Sequence, residues 1–144
     1  MLPLVNTFFD FVEVIVMSQF LAVALGGAVG AMLRYGVAVV LQRWVEGPAP
    51  IATWTVNLLG CLLIGFLVPF LKTSNASLSV QLFVLTGFLG SLTTFSTFSM
   101  ESMLLWQSGR HALLLLNVFG SVAAGLLLVW LGLKLHSLLV PISG

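Results

Sequence analysis

Charge is what this chain has least of. Its 144 residues include five Lys or Arg and four Asp or Glu, 6% in all, where a soluble domain carries roughly 25%. No water-soluble surface can be built from so few charges. Cysteine is nearly absent too, and with Cys61 alone a disulfide scaffold is excluded. A net charge of +1 without a basic cluster argues against nucleic acid as a partner. No general base, nucleophile cluster or metal-ligand spacing appears, so catalysis has no candidate residues. What is plentiful is apolar: 60% of residues are hydrophobic and the mean hydropathy is +1.18. The composition predicts an all-α integral membrane protein.

A bilayer core of about 30 Å takes ~20 apolar residues per helix, and four stretches qualify. They are 18–41 with Arg34 as its only charge, 51–71 with none, 80–106 with Glu101, and 112–133 with none. The connections are too short for a soluble domain, and 136–144 is a short tail. Function must therefore lie in the membrane, in a four-helix unit spanning 18–135. Residues 1–17 stand apart. Asn6, Asp10 and Glu13 recur at helical spacing among apolar residues, as in an interfacial helix, yet such helices usually carry a basic face. The expectation is a dispensable extension, with Met17 as an alternative start.

Orientation is weakly specified. The positive-inside rule sets Arg43, Arg110 and Arg34 on one side against Lys72 and Lys134 on the other. That bias permits insertion both ways, or a single topology fixed by something else. Gly26 and Gly30 form a small-xxx-small pair that admits close helix approach. Four spans leave little room for an internal pore, so a site between chains, and hence a dimer, is expected. Trp44, Trp54 and Trp106 stand near span ends, as interfacial anchors do.

Polar groups at membrane depth default to functional hypotheses. Span 2 has Thr53, Thr55 and Asn57, and the Asn57 amide offers two donors and an acceptor. Span 3 follows Gly87 and Gly90 with seven Ser/Thr residues and two Phe over 91–102, which is poor continuous helix. A break around Gly90–Thr93 frees carbonyls for a hard cation such as Na⁺, and amides for an anion at the next helix start. Thr93 or Thr94 can cap that start. Phe95 and Phe98 share a face with Ser99 and Ser102, while Thr94, Thr97 and Glu101 follow a neighbouring stripe. A ring face attracts cations and its edge can meet an anion. The plainer readings are a bundle-forming Asn57 bond and two core phenylalanines. Arg34 either snorkels to the interface or lends a vestibule positive potential. Glu101 can pair with Arg34 or with a hydroxyl.

The run from Gly87 through Thr93-Thr94-Phe95-Ser96-Thr97-Phe98 to Glu101 resembles the signature of the Fluc/CrcB fluoride channels. So do the segments Gly26–Tyr35 and Thr53–Gly60. The resemblance implies a dual-topology antiparallel homodimer in a bacterial inner membrane, passively conducting F⁻ out of the cytoplasm through two pores at the interface. It implies a structural Na⁺ at the dimer centre, held by the carbonyls of Gly90 and Thr93. Asn57, Thr94, Phe95, Thr97, Phe98 and Ser121 would line the fluoride path, with Arg34 at a vestibule and Glu101 as a supporting acid. Span 4 departs from better-known members: Gly125 stands at a pore-side serine position, and Asn117 where others have Tyr or His. Ser91 stands where Gly is commoner. Two rivals remain. A small proton-coupled four-helix exporter would need an acid deep in span 1, which has none. A non-conducting structural subunit would need only the packing roles.

Overall fold

The computed structural model describes residues 2–43 and 50–140, with side chains from residue 15 onward and Gln42 excepted. Residues 44–49, with Trp44 among them, residues 141–144 and the side chains of the N-terminal extension lie outside the described residues. All the described regular structure is helical. Four helical stretches are long and apolar enough to cross a membrane: Ile15–Leu41, Ile51–Thr73, Leu78–Gln107 and His111–Leu139. The first belongs to one helix, α1 (Leu2–Gln42), into which residues 2–17 run without interruption. The second is α2 (Ile51–Thr73). Within the most apolar window of each span, no more than 22% of the residues are buried. Phe20, Leu126 and Leu138 point outward, each at least 69% exposed. A single chain so apolar on its outside needs lipid or another apolar surface around it.

The third stretch is composite. It opens with α3 (Leu78–Gln81), whose first turn is capped by the Ser77 hydroxyl. A π-helical segment over Leu82–Leu89 follows, then the short α4 (Gly90–Leu92). Thr93 (φ −84°, ψ 154°) and Thr94 (φ −147°, ψ 118°) are extended, and α5 (Phe95–Gln107) starts after them. The fourth stretch reads α6 (His111–Leu115), a π-helical segment over Leu116–Gly120, and α7 (Ser121–Leu139). It runs six residues past 133, carrying Lys134 and His136 within the helix. Wide π turns interrupt regular α-helix and recur at functional sites.

Glycine decides which helices meet. A Cβ on Gly26 or Gly30 would collide with the backbone of Phe83 or Phe88, and one on Gly87 would stand 2.6 Å from the Val23 carbonyl oxygen. The small-residue pair of span 1 therefore seats α1 against the first π segment, within one chain. Gly65 and Gly132 do the same for α2 and α7, whose backbones a Cβ on either would strike at Val129 and Leu62. Lipid supplies no hydrophobic drive between helices, so such close van der Waals contact holds them together. The small core of Val56, Leu89 and Leu92, flanked by Leu63, Leu85 and Phe88, fills the centre and backs the Thr93–Thr94 segment.

Two of the tryptophans diverge. Trp106 is 59% exposed and meets His111 edge-on with ring centroids 5.0 Å apart. Trp54, expected as an interfacial anchor, donates its indole N–H to Asn117 Oδ1. The reason is register: α2 starts only three residues earlier, so its first turn lies against span 4 and the indole reaches inward.

Candidate functional site

Asn57 lies on α2 opposite the extended residues of span 3, and its amide engages a single peptide unit pair there. Thr94 N–H donates to Asn57 Oδ1 at 2.8 Å, and Asn57 Nδ2 donates to the Thr94 carbonyl at 3.1 Å. The partner missing from its own helix is thus backbone, 37 residues further along the chain. One Nδ2 proton remains after these two bonds. The Thr94 hydroxyl accepts from Thr97 N–H at 3.3 Å and donates to Thr97 Oγ1 at 3.0 Å, capping α5.

These bonds also change the acceptors. In a continuous helix Thr94 N–H would bond the Gly90 carbonyl and Thr97 N–H the Thr93 carbonyl. Here the first goes to Asn57 and the second to the Thr94 side chain, so both carbonyls lose their helical donors. Thr93 keeps its own N–H and hydroxyl on the Leu89 carbonyl. Its methyl lies over Gly60, where a Cβ would collide with it.

A cavity of about 410 Å³ opens beside this segment, lined by Asn57, Gly90, Thr93, Thr94, Phe95, Phe98 and Ser121 among others. The Phe95 and Phe98 rings are tilted at 32° with centroids 5.7 Å apart. Phe95 is 79% exposed, so the cavity lacks a wall on that side. Ser121 Oγ is buried with no protein partner. Cys61 also lines the cavity, with its Sγ 3.2 Å from where a Cβ on Gly125 would stand. The thiol fills room that a serine at 125 would need.

A second cavity of about 290 Å³ is lined by Arg34, Thr53, Thr94, Thr97 and Glu101 among others. Thr94 belongs to both. Of the partners open to Glu101 the hydroxyl is the one taken: Thr53 donates to Oε1 at 2.8 Å, while Oε2 is buried with no protein partner. Arg34 donates from Nε to the Ser91 carbonyl at 3.0 Å, which ties α1 to α4. The residues singled out in the sequence therefore divide between two neighbouring chambers rather than forming one file. Sequence reasoning missed the Thr53–Glu101 bond, although Thr53 and Asn57 are one turn apart on the same face. It also missed that Asn117 is fully buried.

The model of the family described as CrcB-like protein, Camphor Resistance (CrcB), matches residues 21–133, which takes in every residue of both chambers. The chain belongs to the CrcB family. Three relatives named fluoride-specific ion channel FluC set the scale of likeness. The protein of Stutzerimonas stutzeri is 45% identical over 122 residues, covering 81% of this chain and 95% of the relative. That of Salinibacter ruber is 46% identical over 117 residues, covering 81% and 87%. That of Thermus thermophilus is 41% identical over 124 residues, covering 86% and 99%. The CrcB match begins at residue 21, so the N-terminal extension lies outside it.

Proposed function

We propose that this CrcB chain is a fluoride-selective channel that passively exports F⁻ from the cytoplasm through two pores at a homodimer interface. The observation that carries the reading is the larger cavity. Neutral donors at Asn57 and Ser121 line it together with the Phe95–Phe98 pair, and its outer side is open. Fluoride is small and tightly hydrated, so a path for it must replace water with close donors. The spare Asn57 proton and the unpartnered Ser121 hydroxyl offer that replacement, and ring edges add weak stabilisation that does not trap the ion. The residues belong to a family whose relatives carry the fluoride-channel name.

The missing wall is read as a second copy. An antiparallel partner bringing its own Phe95 and Asn57 would close two equivalent cavities, consistent with the even spread of Lys and Arg across the two sides. In that reading the third span acts as a broken helix. The Gly90 and Thr93 carbonyls fit a hard cation, because both are oxygen donors whose helical partners have been diverted. Na⁺ bound there supplies positive charge at the dimer centre and a tie between the chains. Arg34 and Glu101 line the vestibule-side chamber.

The test is efflux from liposomes loaded with F⁻ and read with a fluoride electrode. Rapid, saturating release that chloride-loaded liposomes do not show supports the reading. No release from folded, dimeric protein overturns it and favours a structural subunit. Release that requires a proton gradient favours the exporter.

A further inference from the structure

Asn117 is 0% exposed, the most deeply buried of the described polar residues. It lines neither chamber and sits in the wide π-helical turn Leu116–Gly120 at the start of span 4. Its amide is engaged at both ends. Oδ1 accepts the Trp54 indole N–H, and Nδ2 donates to Ser102 Oγ at 2.8 Å. Ser102 Oγ in turn donates to the Phe98 carbonyl at 2.8 Å. The direction is forced. An indole nitrogen can only donate, so Oδ1 must face Trp54 and the NH₂ group must face Ser102. Three bonds in one sense thus run from α2, through span 4, to α5.

We propose that Asn117 is a positioning residue for ion passage: it sets the rotation of α5, and with it the Phe98 ring, by gripping Ser102. Phe98 and Ser102 are four apart and share a helix face, so a turn of α5 that moves one moves the other. Thr53 holds the adjacent Glu101 at 2.8 Å, which makes consecutive residues of α2 hold consecutive residues of α5, one directly and one through Asn117. Phe98 then meets the Phe95 ring with centroids 5.7 Å apart at the edge of the larger cavity. An apolar residue at 117 would leave Trp54 N–H without its acceptor and free Ser102, releasing that side of α5. The inference rests on the channel reading for its flux readout, but not for its structural one.

Both readouts are measured on the full chain in liposomes or detergent. Asn117→Leu keeps the four-atom branched shape and deletes both bonds, and fluoride efflux per folded protein should fall about tenfold, the weight of losing the one buried bond that grips Ser102. Ser102→Ala should lose flux similarly, and the double variant should lose no more than either alone. Ser102→Thr keeps the hydroxyl and should retain wild-type flux. In parallel, 4-fluorophenylalanine placed at position 98 reports the ring environment by ¹⁹F resonance, which should move in Asn117→Leu and stay in Ser102→Thr. Efflux within twofold of wild type in folded Asn117→Leu, multiplied losses in the double variant, or an unmoved resonance would each overturn the inference. Where Asn117→Leu does not fold, Ser102→Ala carries both readouts. Where wild-type protein moves no fluoride, the channel reading fails and the resonance alone decides the role of Asn117.

Discussion

Exchanging the Asn57 amide for a carboxylate, Asn57→Asp, changes one atom and reverses two interactions. The Nδ2 that donates to the Thr94 carbonyl at 3.1 Å becomes an oxygen, so a bond turns into two facing acceptors. Leaving that carbonyl without its donor costs about 1–3 kcal/mol. The carboxylate would also line the larger cavity, the proposed ion path. At an effective dielectric of about 20, a like charge about 4 Å from a fluoride ion adds ~4 kcal/mol to its energy there. Together these amount to about 5–7 kcal/mol, or more than a thousandfold in rate at ~1.4 kcal/mol per decade. Efflux measured with a fluoride electrode should drop below detection. Asn57→Leu separates the two contributions, since it loses both bonds to Thr94 but adds no charge. Its flux should fall about 10- to 100-fold, on one or two lost buried bonds, and stay measurable. Asn57→Asp protein that is dimeric and conducts within tenfold of wild type would refute the placement of Asn57 on the path. Equal loss in the two variants would refute the electrostatic half of the argument.

Three further outcomes follow from the packing and the acceptors. Gly30→Ala sets a Cβ 3.0 Å from Leu92 N and closer still to the Phe88 carbonyl oxygen, and should cost about 1–3 kcal/mol of stability. Gly36→Ala, with nothing within 4 Å of its Cβ, should not lower the melting temperature in detergent, and equal destabilisation of both variants would show that space is not the cause. Thr53→Val removes the hydroxyl from Glu101 Oε1 and leaves both carboxylate oxygens without protein partners. It should lower thermal stability by about 1–3 kcal/mol, and an unchanged melting curve would mean that the 2.8 Å bond contributes nothing. Exchange of Na⁺ for N-methylglucamine during purification should weaken dimerisation, followed by crosslinking in liposomes. An unchanged dimer fraction would remove the cation from the Gly90 and Thr93 carbonyls.

The four spans were legible because apolar runs of this length and this lack of charge have no competing explanation in a folded chain. Asn57, Arg34 and Glu101 were legible as out of place, since a polar group in a span stands out against its neighbours. Their partners were not. Asn57 and Arg34 both bond backbone atoms, of Thr94 and Ser91, and a carbonyl carries no residue letter to read. The bond of Trp54 to Asn117 was not legible because an indole near a helix end suits a membrane interface and a buried amide equally well. The choice depends on which helix lies alongside, which a single span does not reveal. The π segments at Leu82–Leu89 and Leu116–Gly120 were invisible for a related reason: one wide turn in a run of Leu, Phe and Val leaves the apolar pattern unbroken.

Thr94 stands in the wall of both chambers, and every polar group it owns is committed. Asn57 takes its N–H and its carbonyl, and Thr97 takes its hydroxyl. To swing this residue aside would break at least three bonds together, roughly 1.5–4.5 kcal/mol by the usual net value of each. The wall shared by the two chambers is thus pinned at its N–H, its carbonyl and its hydroxyl. In the channel reading proposed above, a wall so held would give the path no shut position, and the flux would follow the electrochemical gradient of the ion.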